Sequence, residues 1–228
     1  MLDVACGPGT VTFLAAERVG SSGKVMGIDL STGQLAQARR HAAESGCSNV
    51  EFREMDAEAL DFPDASFDVV LCSFGIQFFP RPGFFLEQAQ RAMRPGGRIG
   101  VATWQRGAGV GMAGGPRLEA YLEQFGLQWS SPSASLQQPG ALTAALTAAG
   151  FTAVAETSEE RVQRISAEEH CQSVVHTLEM RRVWQRLSEG QRAEVRKIVL
   201  ETVAGYQKEG GLELPRIAVL ASGSKPTG

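Results

Sequence analysis

The sequence is poor in the residues that most often announce chemistry, with 4 cysteines and 3 histidines among 228 residues. Cys6, Cys47, Cys72 and Cys171 lie far apart and form no C-x-x-C pair, so neither zinc ligation nor a disulfide framework is expected. They read as scattered buried thiols of a reducing compartment, and no metal is expected. Charge of one sign is also lacking: 22 Lys and Arg against 25 Asp and Glu leave a net −3, which does not suit a nucleic-acid binder. No apolar run is long enough for a membrane span. The longest uncharged stretch, residues 124–155, is broken by Pro132, Pro139, several Ser and four Gln. Nor is there the pattern of a secretory leader, because Asp3 and the Gly7-Pro8-Gly9 turn interrupt the opening apolar residues. The expected location is the cytoplasm. What is present, 43% apolar and 21% charged residues, can bury a core, and the length suits one α/β domain.

Short β-rich runs alternate with helical patterns, the signature of βαβ units and a parallel sheet. Strands are expected over residues 2–5, 25–29, 50–53 and 67–72, the third at an edge and the fourth, FDVVLC, central and buried on both faces. Helices are expected over 10–19, over 31–46 with Ser31 as its cap and Gly46 as its stop, and over 83–93. The turn Pro95-Gly96-Gly97 leads to a fifth strand over 98–103. Five glycines between Gly107 and Gly115 read as a mobile loop; a phosphate cradle is disfavoured because no strand-to-helix junction with a P-loop lysine accompanies them. Helices over 118–125 and 139–149, a sixth strand over 151–156, a helical charged stretch over 167–208 and a last strand over 214–221 complete the chain. No internal repeat is found. The helical stretch between two late strands reads as a cap over a site, and residues 222–228 as a loose tail.

In an open α/β sheet ligands bind beyond the carboxyl ends of the strands, so residues following the first, second and fourth strands should converge. After the first comes Asp3-Val4-Ala5-Cys6-Gly7-Pro8-Gly9-Thr10, a tight glycine turn opening a helix, where backbone can approach a ligand and the helix terminus favours negative charge. After the second stands Asp29, which can accept both hydroxyls of a ribose. A hydride-transfer enzyme uses the same device. Thr12, however, stands where a dinucleotide fingerprint needs its third glycine, and the acidic Asp3 suits a ligand with an ammonium group. The balance favours a nucleoside joined to an amino acid.

At LDVACGPGT (2–10), VMGIDLS (25–31), EMDAEALDFPDASFDVVLCSFGIQFFP (54–80) and RAMRPGGRIGVATW (91–104) the sequence resembles the class I S-adenosylmethionine-dependent methyltransferases, in the group similar to ubiquinone and menaquinone biosynthesis methyltransferases. The resemblance implies a Rossmann-like, doubly wound α/β fold: a seven-stranded, mostly parallel sheet with a helical cap inserted between the last two strands. Within one domain, residues 1–104 would be the cofactor-binding core and 105–166 a Gly-rich loop, helices and sixth strand. The cap would span 167–210, the last strand 211–221 and a flexible tail 222–228. It implies S-adenosyl-L-methionine as cofactor, S-adenosyl-L-homocysteine as product and a small-molecule methyl acceptor. Asp3, Ala5, Cys6, Gly7 and Gly9 would surround the methionine part, with Ala5 where many relatives have Gly. Asp29 would hold the ribose, Leu30 would pack on adenine, Asp56 would accept from its exocyclic amine, and the Ala57 amide would meet a ring nitrogen. Ser73 would lie near the methionine backbone, and Phe74, Gln77 and Phe78 would begin the substrate side. Asp56 also reads as an ordinary turn acid, and Phe74 and Phe78 as core.

Methyl transfer from a sulfonium is an in-line displacement that needs a base only if the acceptor must lose a proton. His41 reads as a surface residue. His170 and His176, in the expected cap and six residues apart, do not share one helical face; solvated or structural roles are set against that of general base. The resemblance departs at the start, since relatives carry several tens of residues before the first strand. The sequence therefore reads as a shortened or alternative-start form with exposed apolar surface, open access to the cofactor and a tendency to self-associate into a homo-oligomer. An active small-molecule methyltransferase is the leading reading, and a non-catalytic or weakly active cofactor-binding module the alternative.

Overall fold

In the computed structural model, which describes residues 1–105, 115–127 and 133–227, strands and helices alternate through the first half of the chain. They are β1 (Leu2–Val4), α1 (Thr10–Val19), β2 (Val25–Asp29), α2 (Thr32–Ser45), β3 (Val50–Glu54), β4 (Phe67–Ser73), α3 (Pro82–Ala92) and β5 (Met93–Trp104). Then follow α4 (Gly115–Glu123), α5 (Ala141–Ala148), β6 (Thr152–Ile165), α6 (Ala167–Val175), α7 (Leu178–Trp184), α8 (Glu189–Val203), β7 (Gln207–Lys208) and β8 (Gly211–Ser224). The glycine-rich stretch expected to be a loop lies, over residues 107–114, outside the described residues.

The eight strands form one sheet in the order β3-β2-β1-β4-β5-β8-β6, with the two-residue β7 pairing β8. β1 to β5 run parallel, and β8 is antiparallel to β5, β6 and β7. The winding therefore reverses between β1 and β4, and the loops after β1, β2 and β4 emerge on the same edge.

Local chemistry explains the early elements. All three residues of β1 are buried, as expected of a strand covered on both faces. Ser31 caps α2 by accepting from the Gln34 amide, and Gly46 ends it at φ 65°, a conformation that costs glycine little. Phe85, Leu86 and Ala89 of α3 and Leu142 and Leu146 of α5 pack on Leu2, Val4, Val70 and Ile99 in the main core. Each such large side chain contributes about 1.5–3 kcal/mol by leaving water. On the opposite face Ala15 and Ala16 of α1 cover Val25 and Leu71. Beside α1 that face holds an open groove of about 380 Å³, lined by Leu71, Ser73, Ala102, Thr157 and Leu220.

The later elements differ from expectation in four ways. Among the described residues the sheet has eight strands, not seven. β5 starts at Met93 and runs through Pro95-Gly96-Gly97 instead of turning there; the β4–β5 register shifts between Phe67 and Val69, which absorbs the irregular residues. β6 continues past residue 156 to Ile165, paired with β8 from Glu160↔Ile217 to Ile165↔Leu212. Since Trp104↔Ala218 is the final β5–β8 pair on that side, this two-stranded arm projects beyond the carboxyl ends of the parallel strands. The tail is not loose at its beginning: Ser222 to Ser224 belong to β8, and Lys225 donates its amide to Gly97 O at 2.8 Å and its Nζ to Met93 O at 2.9 Å.

The helices between β6 and β8 cluster with α4 around a core of their own. Leu118 and Leu122 of α4 meet Cys171 and Val174 of α6, Met180 and Val183 of α7, and Val195, Ile198 and Val199 of α8. Ser166 and Ser188 start α6 and α8 with reciprocal capping boxes to Glu169 and Gln191.

Candidate active site

Beyond β1 the chain turns through three left-handed residues, Ala5 at φ 55°, Gly7 at φ 55° and Gly9 at φ 91°. The turn is tied to β2 by the Cys6 amide, which donates to Ile28 O at 2.9 Å. Around Gly7 there is open space where a side chain would stand, whereas a Cβ on Gly9 would come within 2.7 Å of the Phe13 ring. Gly9 is therefore favoured by its left-handed φ as well as by the Phe13 ring, and Gly7 leaves room above the turn.

Asp29, at the end of β2, faces this turn. Its Oδ2 accepts from the Gly7 amide at 2.9 Å and its Oδ1 from the Ser31 amide at 2.8 Å, so the carboxylate is held in place by backbone donors. The next residue, Leu30, is 65% exposed, an apolar platform beside the acid. Met55 donates its amide to Asp29 O at 3.2 Å, which carries the chain after β3 to the same edge. There Asp56 accepts from the Glu58 amide at 2.9 Å through Oδ1, the bond of a turn acid, while Ala57 is buried.

Asp3 lies beneath the turn, 1% exposed. Its Oδ2 accepts from the Thr12 hydroxyl at 2.6 Å. Burial pushes its pKa up to about 6 from 3.8; the Thr12 hydrogen bond opposes this and the charge of Asp29 adds to it. Thr12, read from sequence only as a missing glycine, is thus the partner of Asp3. No local pattern announces that pairing, because the two residues meet only after α1 folds back on β1. Burial likewise pushes the Cys6 thiol up to about 12 and raises that of Cys72, so neither is a thiolate nucleophile.

After β4, Phe74 adopts φ 57° and its ring stacks on Trp104 at the end of β5, with centroids 4.3 Å apart. Gly75 packs so closely that a Cβ there would lie 2.5 Å from that of Ala5, which joins the turns after β1 and β4. Ser73 lines the groove on the sheet face. Gln77 was expected to face substrate. Instead it is buried, and its Oε1 accepts from the Thr103 hydroxyl at 3.0 Å and the Trp104 amide at 3.3 Å, so it fixes the end of β5. Phe78 sits exposed on a short turn of 3₁₀ helix.

The histidines separate as their spacing predicts. His41 is exposed and stacks on Phe13 at 4.4 Å. His176 is exposed at the end of α6, its Nδ1 2.9 Å from Gln172 O. His170 is 1% exposed, and neither ring nitrogen has a hydrogen-bond partner among the described residues. Desolvation, aided by the charge of Arg216, lowers its pKa to about 4. Among the described residues no group of three or more His, Cys, Asp or Glu is gathered as for a metal ion, and no helix is long and apolar enough to cross a membrane.

A family described as "Methyltransferase domain" matches residues 1–97. Nocamycin O-methyltransferase of Saccharothrix syringae is 32% identical over 92% of this chain and 79% of its own length. The chain belongs to the class I S-adenosylmethionine-dependent methyltransferases. Demethylmenaquinone methyltransferase of Lactococcus lactis is 40% identical over 43% of this chain; the match spans 39% of that relative's length, less than half of it. A crystallised phosphoethanolamine N-methyltransferase from Haemonchus contortus, bound to S-adenosylhomocysteine, shares the fold with a TM-score of 0.59 at 20% identity, over 99% of this chain and 49% of that one. The cofactor of a class I methyltransferase is S-adenosylmethionine, and the residues present fit it. The space over Gly7, the fixed carboxylate of Asp29 and the exposed Leu30 together suit a nucleoside joined to a small polar group.

Proposed function

We propose that this methyltransferase transfers a methyl group from S-adenosylmethionine to a small-molecule acceptor by in-line displacement. The observation that carries the reading is the convergence of the glycine turn with Asp29, whose carboxylate meets the Gly7 amide at 2.9 Å. In this reading Asp29 accepts from the ribose hydroxyls, Leu30 covers one face of the adenine, and Asp56 and the Ala57 amide meet its edge. Asp3, Ala5, Cys6, Gly7 and Gly9 surround the amino-acid part, with Ser73 beside it. When bound, the cofactor supplies a methyl group already activated by positively charged sulfur.

The chain's own task is then alignment and exclusion of water. Phe74 and Trp104, pinned by Gln77, wall the acceptor side. In this reading neither cap histidine acts as a base, which is supported by the burial of His170 and the exposure of His176 to solvent. The acceptor carries its own nucleophilic oxygen, nitrogen or carbon.

Calorimetry with S-adenosylmethionine, S-adenosylhomocysteine and NAD, followed by transfer of labelled methyl to a metabolite extract, tests the proposal. Binding of the two sulfur nucleosides and incorporation of label are expected. NAD binding in their place would replace the reading with a dehydrogenase, and cofactor binding without transfer would favour a non-catalytic module. Asp29→Ala should weaken S-adenosylhomocysteine binding about 10- to 100-fold, the worth of hydrogen bonds to a charged group of about 1.5–3 kcal/mol.

A further inference from the structure

β6 carries an open hydrogen-bonding edge. From Ala155 to Ile165 it pairs without interruption with β8 on one side, and among the described residues no strand pairs with it on the other. Every residue from Thr157 to Arg164 is exposed. A long exposed edge is a template for another chain, and proteins commonly blunt one with proline, lysine or a bulge. β6 contains neither proline nor lysine, and its register shift lies between Thr152 and Ala155, at the end away from the arm. The arm therefore offers a regular, unprotected edge.

The charges along that edge are ordered, as Glu159-Glu160-Arg161-Val162-Gln163-Arg164. Val162, 56% exposed, is an apolar side chain in the middle of them. Arg161 reaches Glu159 at 3.3 Å and Arg164 reaches Glu213 at 2.9 Å, contacts of the weak, solvent-screened kind; Glu160 has no ion pair among the described residues. When two antiparallel copies of one strand pair about a two-fold axis, one residue meets itself on the axis, and that residue decides which side chains stand opposite. With Glu159, Glu160, Arg161 or Arg164 on the axis, like charges stand directly opposite. With Gln163 there, no ion pair forms. With Val162 there, the two valines meet, Arg161 faces Gln163 of the other copy, and Glu160 faces Arg164 in both directions. Arg164 then lies between Glu213 of its own β8 and Glu160 of the other copy.

We infer that a second copy of this chain docks antiparallel on β6 with Val162 on the two-fold axis, so that one sheet continues through both copies. The ladder runs from Glu159 to Ile165 and ends where Ser166 caps α6. Seven residues from each copy are fewer than the roughly 20–30 of a standard interface, so the dimer forms in the micromolar range and dissociates on dilution. The charges fix its register and its choice of partner more than its strength. The inference is independent of the reaction and stands whether or not the methyltransferase reading does.

The test is sedimentation equilibrium of the full chain from micromolar to several hundred micromolar concentration. The chain should pass from monomer to dimer, and added salt should weaken the dimer. Glu160→Arg, an exposed change that leaves the fold intact, sets a second guanidinium against Arg164 at both ends of the ladder and should raise the dissociation constant at least tenfold; Arg164→Glu sets carboxylate against Glu160 and should do the same. Mixed together, these two variants face opposite charges again, so a heterodimer of near wild-type affinity should form. Amide protection over residues 159–165 should rise with wild-type concentration. A monomer throughout the range, a dimer indifferent to Glu160→Arg, or folded variants that fail to pair when mixed would overturn the proposal. Should Arg164→Glu fail to fold for want of its contact with Glu213, the Glu160→Arg result decides alone.

Discussion

Ala5 and Asp3 show how single residues in the first turn set conflicting demands. Ala5 holds a left-handed φ of 55°, which costs a residue with a Cβ about 1–2 kcal/mol, partly offset because glycine loses more chain entropy on folding. Ala5→Gly is expected to raise stability by up to about 1 kcal/mol, seen as a higher urea midpoint at unchanged slope. Asp3 carries the opposite kind of strain, a carboxyl whose folded pKa of about 6 exceeds its ordinary value of 3.8. Its contribution to stability is fully present below pH 3.8 and is lost as pH rises through 6. The loss amounts to about 3 kcal/mol from a shift of this size. Asp3→Asn, which keeps an acceptor for Thr12, should therefore unfold at higher temperature than the wild type at pH 8 and at nearly the same temperature at pH 4. Equal melting temperatures at pH 8 would show that the carboxyl is not strained. The sequence made Asp3, Asp29 and the glycines legible because turn chemistry is local. Thr12 and Gln77 escaped because their partners are brought by tertiary folding, and Gln77 meets Thr103 only across β4 and β5.

At the scale of elements, α1 and α2 could be read from sequence to within a residue or so, because Ser31, Gly46 and the glycine turn punctuate them directly. β6 could not. Residues 157–164, TSEERVQR, place charges on both faces, so the period of 2 that marks a half-buried strand is absent. The strand is specified instead by its pairing with β8, which no local pattern carries. The start of β5 was hidden by Pro95-Gly96-Gly97, a turn signal that the register shift overrides. In the cap, His170 is the residue whose titration matters. Its folded pKa of about 4 lies below the ordinary 6.5, so its contribution is present above pH 6.5 and lost as pH falls through 4. His170→Leu removes two unpartnered nitrogens from a buried site. It should raise the melting temperature and abolish the part of acid destabilisation, about 3 kcal/mol, that develops between those values. An unchanged acid limb in His170→Leu would place the acid sensitivity elsewhere.

For the whole molecule these two groups oppose one another. Asp3 favours the fold on the acid side and His170 on the neutral side, so between pH 4 and 6 their slopes largely cancel while the sheet and the cap respond separately. Probes placed in each part should then diverge: the protection of α6 amides, relative to their intrinsic exchange rate at each pH, should fall as the solution is acidified, whereas that of β1 amides should fall as it is made alkaline. The two hydrophobic clusters make this separation physical, since the cap residues pack on one another and the sheet residues on α3 and α5.

The position of β8 between β5 and β6 has a consequence for how the chain is made. β6 lies at the sheet edge and pairs with no strand but β8 among the described residues, while Arg98 of β5 waits for Ser224. During vectorial synthesis the parallel strands and α3 can assemble first, but fourteen residues of β6 emerge with an empty hydrogen-bonding edge. Closure of the sheet depends on contacts of very long sequence separation, the kind that slows folding. A chain stopped at residue 210, before β8, is expected to accumulate as an aggregating intermediate, measurable as loss of soluble protein. Of the described strands β8 is laid last, and until it emerges the facing edges of β5 and β6 both stand open.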